Sequence, residues 1–475
     1  MKTGFVVLAL GFGLLFAFAV PPGQIPDEPV HFIHAYHLSE GGVRFGRAPD
    51  GERGVQVPRE VASFRRRFDP DFFRRGVDKM SPAELRARLG DEPPSDERVF
   101  LGSYASYSPL TYAPQVAGIV VARSLGFSVA DIFYAGRIAA LLFWIACLVS
   151  AIHLLPLFRR VYWVIGLLPM SLFLAASYSA DVVTGGLALL LVAAVLRLAF
   201  DREARFDGRA VAFLAALATA LSFTKLVYVP LALLVLAIPA GKAASRREYA
   251  RGVAFVFGMP LVTSALALAV APDVFHPMLH SPALPAMPRV PGALVREPLR
   301  FAAELLHTTW VECWHYVRMM VGRFGWLDSG LPSWAVWTYF LSLLGLAIVD
   351  HPRGLSPSRA QRLLAVSLFV AIYVAIQATA WVRWTRLAEP VIVGFQGRYL
   401  LPALPAALLS LPIAGAAPSP RAWRWIHALL IVTSTVGLVA AVATILERYY
   451  GLHAALSTVG LQPLVEGGLF APASP

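Results

Sequence analysis

The sequence predicts an all-α, polytopic membrane protein, and two observations carry that expectation. The 475-residue chain is 57% hydrophobic, only 15% charged, and has a mean hydropathy of +0.63, so it cannot cover a globule with polar surface. Apolar runs of about 17–22 residues recur along it, the length that crosses ~30 Å of hydrocarbon at 1.5 Å per residue. The net charge of +12 is unevenly placed: residues 21–108 hold 13 Lys+Arg against 14 Asp+Glu, leaving +13 to the remainder. That remainder is mostly short loops, where basic residues set orientation, so nucleic acid is not an expected partner. Cys147 and Cys313 offer neither a disulfide framework nor metal spacing and read as ordinary buried small residues.

Taken in order, run 4–20 is the first span. Lys2 and "AFA" also resemble a cleavable secretory signal, but the length of the run and the Pro21-Pro22 that follows favour an uncleaved anchor. Ten further spans follow at 132–150, 161–178, 182–200, 210–223, 226–240, 252–270, 332–349, 361–381, 399–411 and 424–446. The loops bearing Arg159/Arg160, Arg202/Arg205/Arg209, Lys242/Arg246/Arg247/Arg251, Arg353/Arg359/Arg362 and Arg421/Arg424 then share the side of the N-terminus, which the positive-inside rule makes cytoplasmic. The segment 108–126, "SPLTYAPQVAGIVVARSLG", would invert that parity if it spanned. Interrupted by Pro109 and Pro114, it reads as an interfacial or re-entrant helix.

One domain results: first span 4–20; first extracytoplasmic loop 21–131 with short helices; spans two to seven within 132–270; a second extracytoplasmic segment 271–331; spans eight to eleven within 332–446; and a tail 447–475 whose "APASP" end should fray. Within 271–331, Leu299, Ala302, Ala303, Leu306, Trp310, Cys313, Trp314, Val317 and Met320 repeat at helical spacing, as in an amphipathic helix lying in the interface. Trp326, Trp334, Trp337, Trp381 and Trp384 suit an outer aromatic belt.

Candidate chemistry collects at the outer ends. In "PPGQIPDEPVHFIHAYHLSEGG", Pro29 suits a helix first turn, Asp27 or Glu28 its cap, and Gly41-Gly42 its stop. Asp27 and His31 then share a face. Such a carboxylate can bind a metal or take a proton from a hydroxyl; the plain alternative is a cap beside solvated histidines. Asp181 in "AASYSADVVTGG" is either a working acid or the cap of the next span. Lys225, Arg398 and Arg137 are cations on the side where cations are unexpected, so each calls for an anion or a lipid headgroup. Arg398, between Gly397 and Tyr399, is the strongest phosphate candidate of the three. No P-loop, GxSxG elbow or HExxH competes.

At "PDEPVHFIHAYHLSEGG", "YSPLTYAPQVAGIVVARSLG", "GLLPMSLFLAASYSADVVTGGLALL", "GRFGWLDSGLP" and "QGRYLLPALP" the sequence resembles a family of bacterial polytopic membrane proteins known as a domain of unknown function and grouped with the GT-C glycosyltransferases. The resemblance implies a GT-C-like bundle of about eleven transmembrane helices and inverting transfer of a sugar from a polyprenyl phosphate to an envelope glycan or lipid acceptor. It places the two acids of such enzymes at Asp27 (with Glu28) and Asp181, and the donor phosphate at Arg398 and Lys225; Arg137, as a cation opening the second span, is a further phosphate candidate from the residues alone. The series His31, His34, His37 has no counterpart in that family, so a divalent ion such as Mg or Mn at Asp27, His31 and Asp181 stays open. Two rivals from other classes are a transporter or flippase of lipid-linked sugars and a non-catalytic envelope scaffold. Repeated halves and broken helices near the midplane would mark the transporter.

Overall fold

A computed structural model describes residues 1–48, 51, 53–68, 79–102, 107–276, 292–352, 354–412 and 418–451. The expected frayed end and Arg353 lie outside the described residues, as does 277–291 of the second loop. Six described helices are long and apolar enough to cross a membrane: Lys2–Ala19, Val129–Leu154, Asp181–Phe200, Arg246–Val270, Arg359–Arg383 and Pro420–Tyr450. Shorter apolar helices are Gly208–Thr224, Leu226–Ala237 and Ser333–Val349.

Proline decides where the expected runs fail to be single α-helices. Run 161–178 is split into Arg159–Gly166 and Pro169–Ala175, because the ring of Pro169 holds Leu168 extended (φ −55°, ψ 134°). Pro230 lies within Leu226–Ala237, which is a 3₁₀ helix rather than an α-helix. Run 399–411 is a 3₁₀ helix, Gly397–Ala403, carrying Pro402, followed by Leu404–Leu409.

Side-chain contacts sort the helix termini into two ends. At one end the Lys2 amine and His153 Nδ1 are 2.7 Å apart, Gln361 donates to the Ala237 carbonyl at 2.7 Å, and the Arg160 guanidinium lies 3.6 Å over the Trp423 ring. At the other end Ser108 Oγ donates to the Phe223 carbonyl at 2.6 Å, Lys225 meets Asp181, and the Met80 amide donates to the Tyr449 carbonyl at 2.7 Å. Helix Val129–Leu154 runs from one end to the other, since Arg137 belongs to the second cluster and His153 to the first.

Segment 108–126 is a 3₁₀ turn, Pro109–Tyr112, and a 12-residue helix, Ala113–Ser124. At ~18 Å that helix is too short to span. The first loop also contains what its reading as short helices missed: a three-stranded antiparallel sheet of Gly46–Arg47, Arg53–Pro58 and Arg98–Gly102, with Val55 opposite Leu101 and Val57 opposite Val99. Its signal is the alternation in "RGVQVP", where Val55 and Val57 are buried and Gln56 is exposed. The amphipathic stripe falls on helix Pro298–Gly322: Leu299, Leu306 and Trp310 are more than 70% exposed, whereas Trp314 stacks on Trp337 at 4.2 Å and Met320 is buried. Cys147 is buried as expected, but Cys313 on the bare side of this helix is exposed.

One buried ion pair ties the first loop to the bundle. Arg137 and Glu28 are fully buried, and Nε and Nη2 donate to the carboxylate at 2.9 and 2.6 Å. The remaining guanidinium hydrogens go to the carbonyls of Ala17 and Val20, both at 2.7 Å, and Pro21 at 3.3 Å. All five donors of the guanidinium are thereby used. Glu28 in turn accepts from the amides of Gly23 at 3.0 Å and Tyr178 at 3.3 Å, which fills its four acceptor positions. Gly23 reaches it with φ 74°, and a Cβ there would come within 2.8 Å of the Phe68 carbonyl oxygen.

Removing one partner leaves the other charged and unmatched in an apolar interior. Arg137→Met is therefore expected to cost about 3–5 kcal/mol, read as a lowered thermal transition of the detergent-solubilised protein. The double variant Arg137→Met/Glu28→Leu should be more stable than Arg137→Met alone.

Candidate functional site

The anchoring of Glu28 decides where Asp27 goes. Helix Glu28–Ser39 begins directly after it, and Asp27 takes left-handed backbone angles (φ 62°, ψ 3°), a conformation that costs an L-residue about 1–2 kcal/mol. Its carbonyl accepts from the amides of Val30 and His31, each at 3.1 Å, but its carboxylate does not cap the helix. Asp27 is exposed, and its carboxylate has no hydrogen-bond or ion-pair partner among the described residues. The capping expectation is therefore corrected: Glu28 supplies the buried anchor and Asp27 the free acid.

Asp181 opens helix Asp181–Phe200 and lies between two cations. Lys225 Nζ is 2.5 Å from Oδ1, and Arg398 Nε is 3.3 Å from Oδ2, an ion-pair distance out of hydrogen-bond alignment. Lys225 sits in the extended link (φ −151°, ψ 109°) between Gly208–Thr224 and Leu226–Ala237. Tyr107 and Tyr399 hold its ammonium at 4.9 and 5.1 Å from their ring centres. Arg398 leads the 3₁₀ helix Gly397–Ala403, whose first residue is pressed onto helix Pro298–Gly322; a Cβ on Gly397 would lie 1.8 Å from the Tyr316 carbonyl oxygen. Only glycine permits that approach.

His31, one turn beyond Asp27, joins the two acids. Its Nδ1 is 2.7 Å from the Tyr112 hydroxyl, and its ring packs against Tyr107 and Tyr112. The charges of Asp27, Lys225, Asp181 and Arg398 all act on its imidazole. Burial pushes His31 down to about 4, partly opposed by the Asp27 carboxylate. His34 is buried against Phe45 and Tyr112 with neither ring nitrogen partnered, and burial, then His31, then His37 push it down to about 3. His37 bonds instead to the Arg44 carbonyl.

Beside the cluster is a cavity of about 260 Å³. Lys225, Tyr107, Tyr228 and Tyr399 form its polar part, and Ile376, Ala380 and Trp384 at the end of helix Arg359–Arg383 form an apolar wall. A second cavity of about 20 Å³ lies against Asp181, Arg398 and Ser171.

Of the residues singled out in the sequence, Asp27, His31, Asp181, Lys225 and Arg398 come together. Glu28 and Arg137 lie outside that group: both are fully buried, and each has its hydrogen-bonding capacity taken by the other and by backbone, which leaves none for a proton transfer or a phosphate. A divalent ion at Asp27, His31 and Asp181 fits poorly. Among the described residues no three His, Cys, Asp or Glu side chains are arranged to hold a metal ion, and both Asp181 oxygens already face cations. Tyr107 and Tyr228 escaped sequence reading, although Tyr228 lies three residues beyond Lys225.

Fold and site together define a polytopic α-helical membrane protein with a charged, tyrosine-walled cleft at one end of its bundle. Within that class the chain belongs to the family described as predicted membrane protein (DUF2142), whose model matches residues 10–407. No curated protein and no solved structure matches it.

The two neutral histidines give the fold a definite acid limb. Between pH 6.5 and about 4 the unfolded chain binds protons that His31 and His34 refuse in the folded state, so stability present above pH 6.5 is lost as pH falls through that window. Thermal transitions measured from pH 7.5 to 4.5 should decline accordingly, and His34→Phe should flatten the decline.

Proposed function

We propose that the protein is a membrane glycosyltransferase of GT-C type, transferring a sugar with inversion from a polyprenyl-phosphate donor to an envelope glycan or lipid acceptor. The observation that carries this reading is an exposed, unpartnered Asp27 whose charge acts on Arg398, together with Lys225 and Arg398 held by Asp181 beside an apolar-walled cavity. A prenyl chain suits the wall formed by Ile376, Ala380 and Trp384, and its phosphate suits the cations. With the three proline-broken or 3₁₀ segments taken as crossings, eleven passes and the positive-inside rule assign the N-terminus to the cytoplasm of a bacterial inner membrane and the cleft to the extracytoplasmic face.

Chemistry then follows from the leaving group. Asp27 takes the proton of the acceptor hydroxyl, the acceptor oxygen attacks the anomeric carbon from the face opposite the phosphate, and the carbon–oxygen bond breaks with its electron pair going to phosphate oxygen. Lys225 and Arg398 stabilise the charge that accumulates there. A phosphate departs without a strong general acid, so no step is assigned to Mg or Mn.

The broken segments are the feature that most favours a transporter. Yet 161–178 and 226–238 contain no charged residue, and Lys225 and Arg398, although each opens a broken segment, lie at the end of the bundle rather than near its middle. That distribution favours transfer over transport.

Asp27→Asn should lower transfer by about 10²–10⁴-fold while leaving the thermal transition unchanged; the assay is release of polyprenyl phosphate from a labelled donor in proteoliposomes. Arg398→Ala should weaken donor binding by about 10–100-fold, the equivalent of one charge-assisted hydrogen bond, measured by titration with the labelled lipid. Wild-type affinity in that variant would remove Arg398 from the phosphate site.

A further inference from the structure

Asp181 raises a question that the transfer reading leaves unanswered, because an acid held between two cations is a poor base. Lys225 Nζ at 2.5 Å and Arg398 Nε at 3.3 Å face its two oxygens, and the side chain is only 13% exposed. The acceptor proton already has a better destination in Asp27, which is exposed. Asp181 therefore needs another task.

Charge counting supplies one. Among the described residues lining the larger cavity, Lys225 is the one with a permanent charge, and Asp181 and Arg398 are the charged members of the small cavity behind it. Nearby, His31 is neutral at pH 7 and Glu28 cancels Arg137. Among the described residues the ion-paired group of Lys225, Arg398 and Asp181 thus sums to a single positive charge, and Asp27, exposed and paired with neither cation, is counted with the acceptor. Lys225 has three ammonium hydrogens and gives one to Asp181, so donors remain for an incoming anion.

Resting on the transferase reading, we infer that Asp181 is a resident counter-anion that sets the donor site at one net positive charge and so selects a lipid phosphodiester over a lipid diphosphate ester. A sugar phosphodiester carries one negative charge and neutralises the site. A diphosphate diester carries two and leaves one uncompensated in a cavity walled by apolar side chains, where an unmatched charge is costly. The balance also holds through transfer. As the carbon–oxygen bond breaks, the departing phosphate gains one negative charge and Asp27 gains the acceptor proton, so the total charge of the cleft is unchanged. Asp181 keeps its two cations in place when the donor site is empty and takes no proton.

The test compares two probes, farnesyl methyl phosphate with one charge and farnesyl methyl diphosphate with two, titrated into the full chain in nanodiscs of neutral lipid. Wild type should bind the first at least tenfold more tightly. Asp181→Asn, which raises the site to two positive charges, should reduce or reverse that ratio by at least tenfold. Lys225→Gln/Asp181→Asn restores a single positive charge through Arg398 and should recover the wild-type ratio, whereas Lys225→Gln alone should weaken both probes. If Asp181→Asn does not fold, the comparison of Lys225→Gln with the double variant carries the decision, and a double variant no better than Lys225→Gln at discriminating the probes overturns the inference. A ratio unmoved in folded Asp181→Asn, with both probes still dependent on Lys225 and Arg398, overturns the counter-anion role and leaves the donor site standing. Binding of both probes that is indifferent to Lys225→Gln and Arg398→Gln overturns the donor site itself.

Discussion

The buried pair of Glu28 and Arg137 is the constraint on which the external architecture depends. Taking two charges out of water costs more than their attraction returns unless every remaining donor and acceptor is matched. Here all are matched, and the matching groups belong to different parts of the chain: the carbonyls ending the first helix, the Gly23 turn, and the amide of Tyr178. Asp27 is the covalent neighbour of Glu28, and Asp181 lies three residues beyond Tyr178. Both acids of the cleft are thus placed by short chain segments leading from one carboxylate. The left-handed backbone of Asp27 follows from the same geometry, since the chain must turn sharply to bury Glu28 and still begin a helix with it.

The cations of the cleft occupy positions where regular helix gives way. Lys225 lies in an extended link and Arg398 opens a 3₁₀ helix, so neither is confined to the lattice of an α-helix. Pro230 and Pro402 keep the following segments from rewinding into α-helix by withholding an amide and fixing φ. Tyr228 adds a tether between the two segments, its hydroxyl donating to the Tyr399 carbonyl at 2.7 Å. Prolines in apolar runs therefore have a positive role: they present side chains at the ends of segments that a straight helix would carry past the cleft.

Period and composition made the membrane body legible. Apolar runs survive any detail of packing, and six of them stand as long helices whose ends lie within six residues of the expected bounds. The convergence of Asp27, Asp181, Lys225 and Arg398 was legible too, because charge is expensive beside a bilayer and marks itself in an apolar sequence. Division of labour between neighbours was not. Asp27 and Glu28 are chemically alike, and only the position of Arg137, more than a hundred residues away, determines which acid is buried. The small sheet was missed for a similar reason: Arg53–Pro58 is too short to outweigh the surrounding charge, and its partner strand Arg98–Gly102 is distant in sequence.

The proline-broken segment 159–178 shows how such a cleft can be held still. Helix Arg159–Gly166 starts from Phe158 in left-handed conformation and has no side-chain cap of its own. Asp350, at the end of helix Ser333–Val349, supplies that cap from outside: its carboxylate accepts from the Arg160 and Val161 amides at 2.5 and 3.2 Å, and pairs with the Arg160 guanidinium at 2.9 Å. At its other end the same segment is fixed by Tyr178 on Glu28. A segment broken at Leu168 would otherwise hinge there, since no amide of Pro169 bridges the break. Pinned by a carboxylate at each end, it delivers Asp181 to Lys225 and Arg398 as firmly as an unbroken helix would.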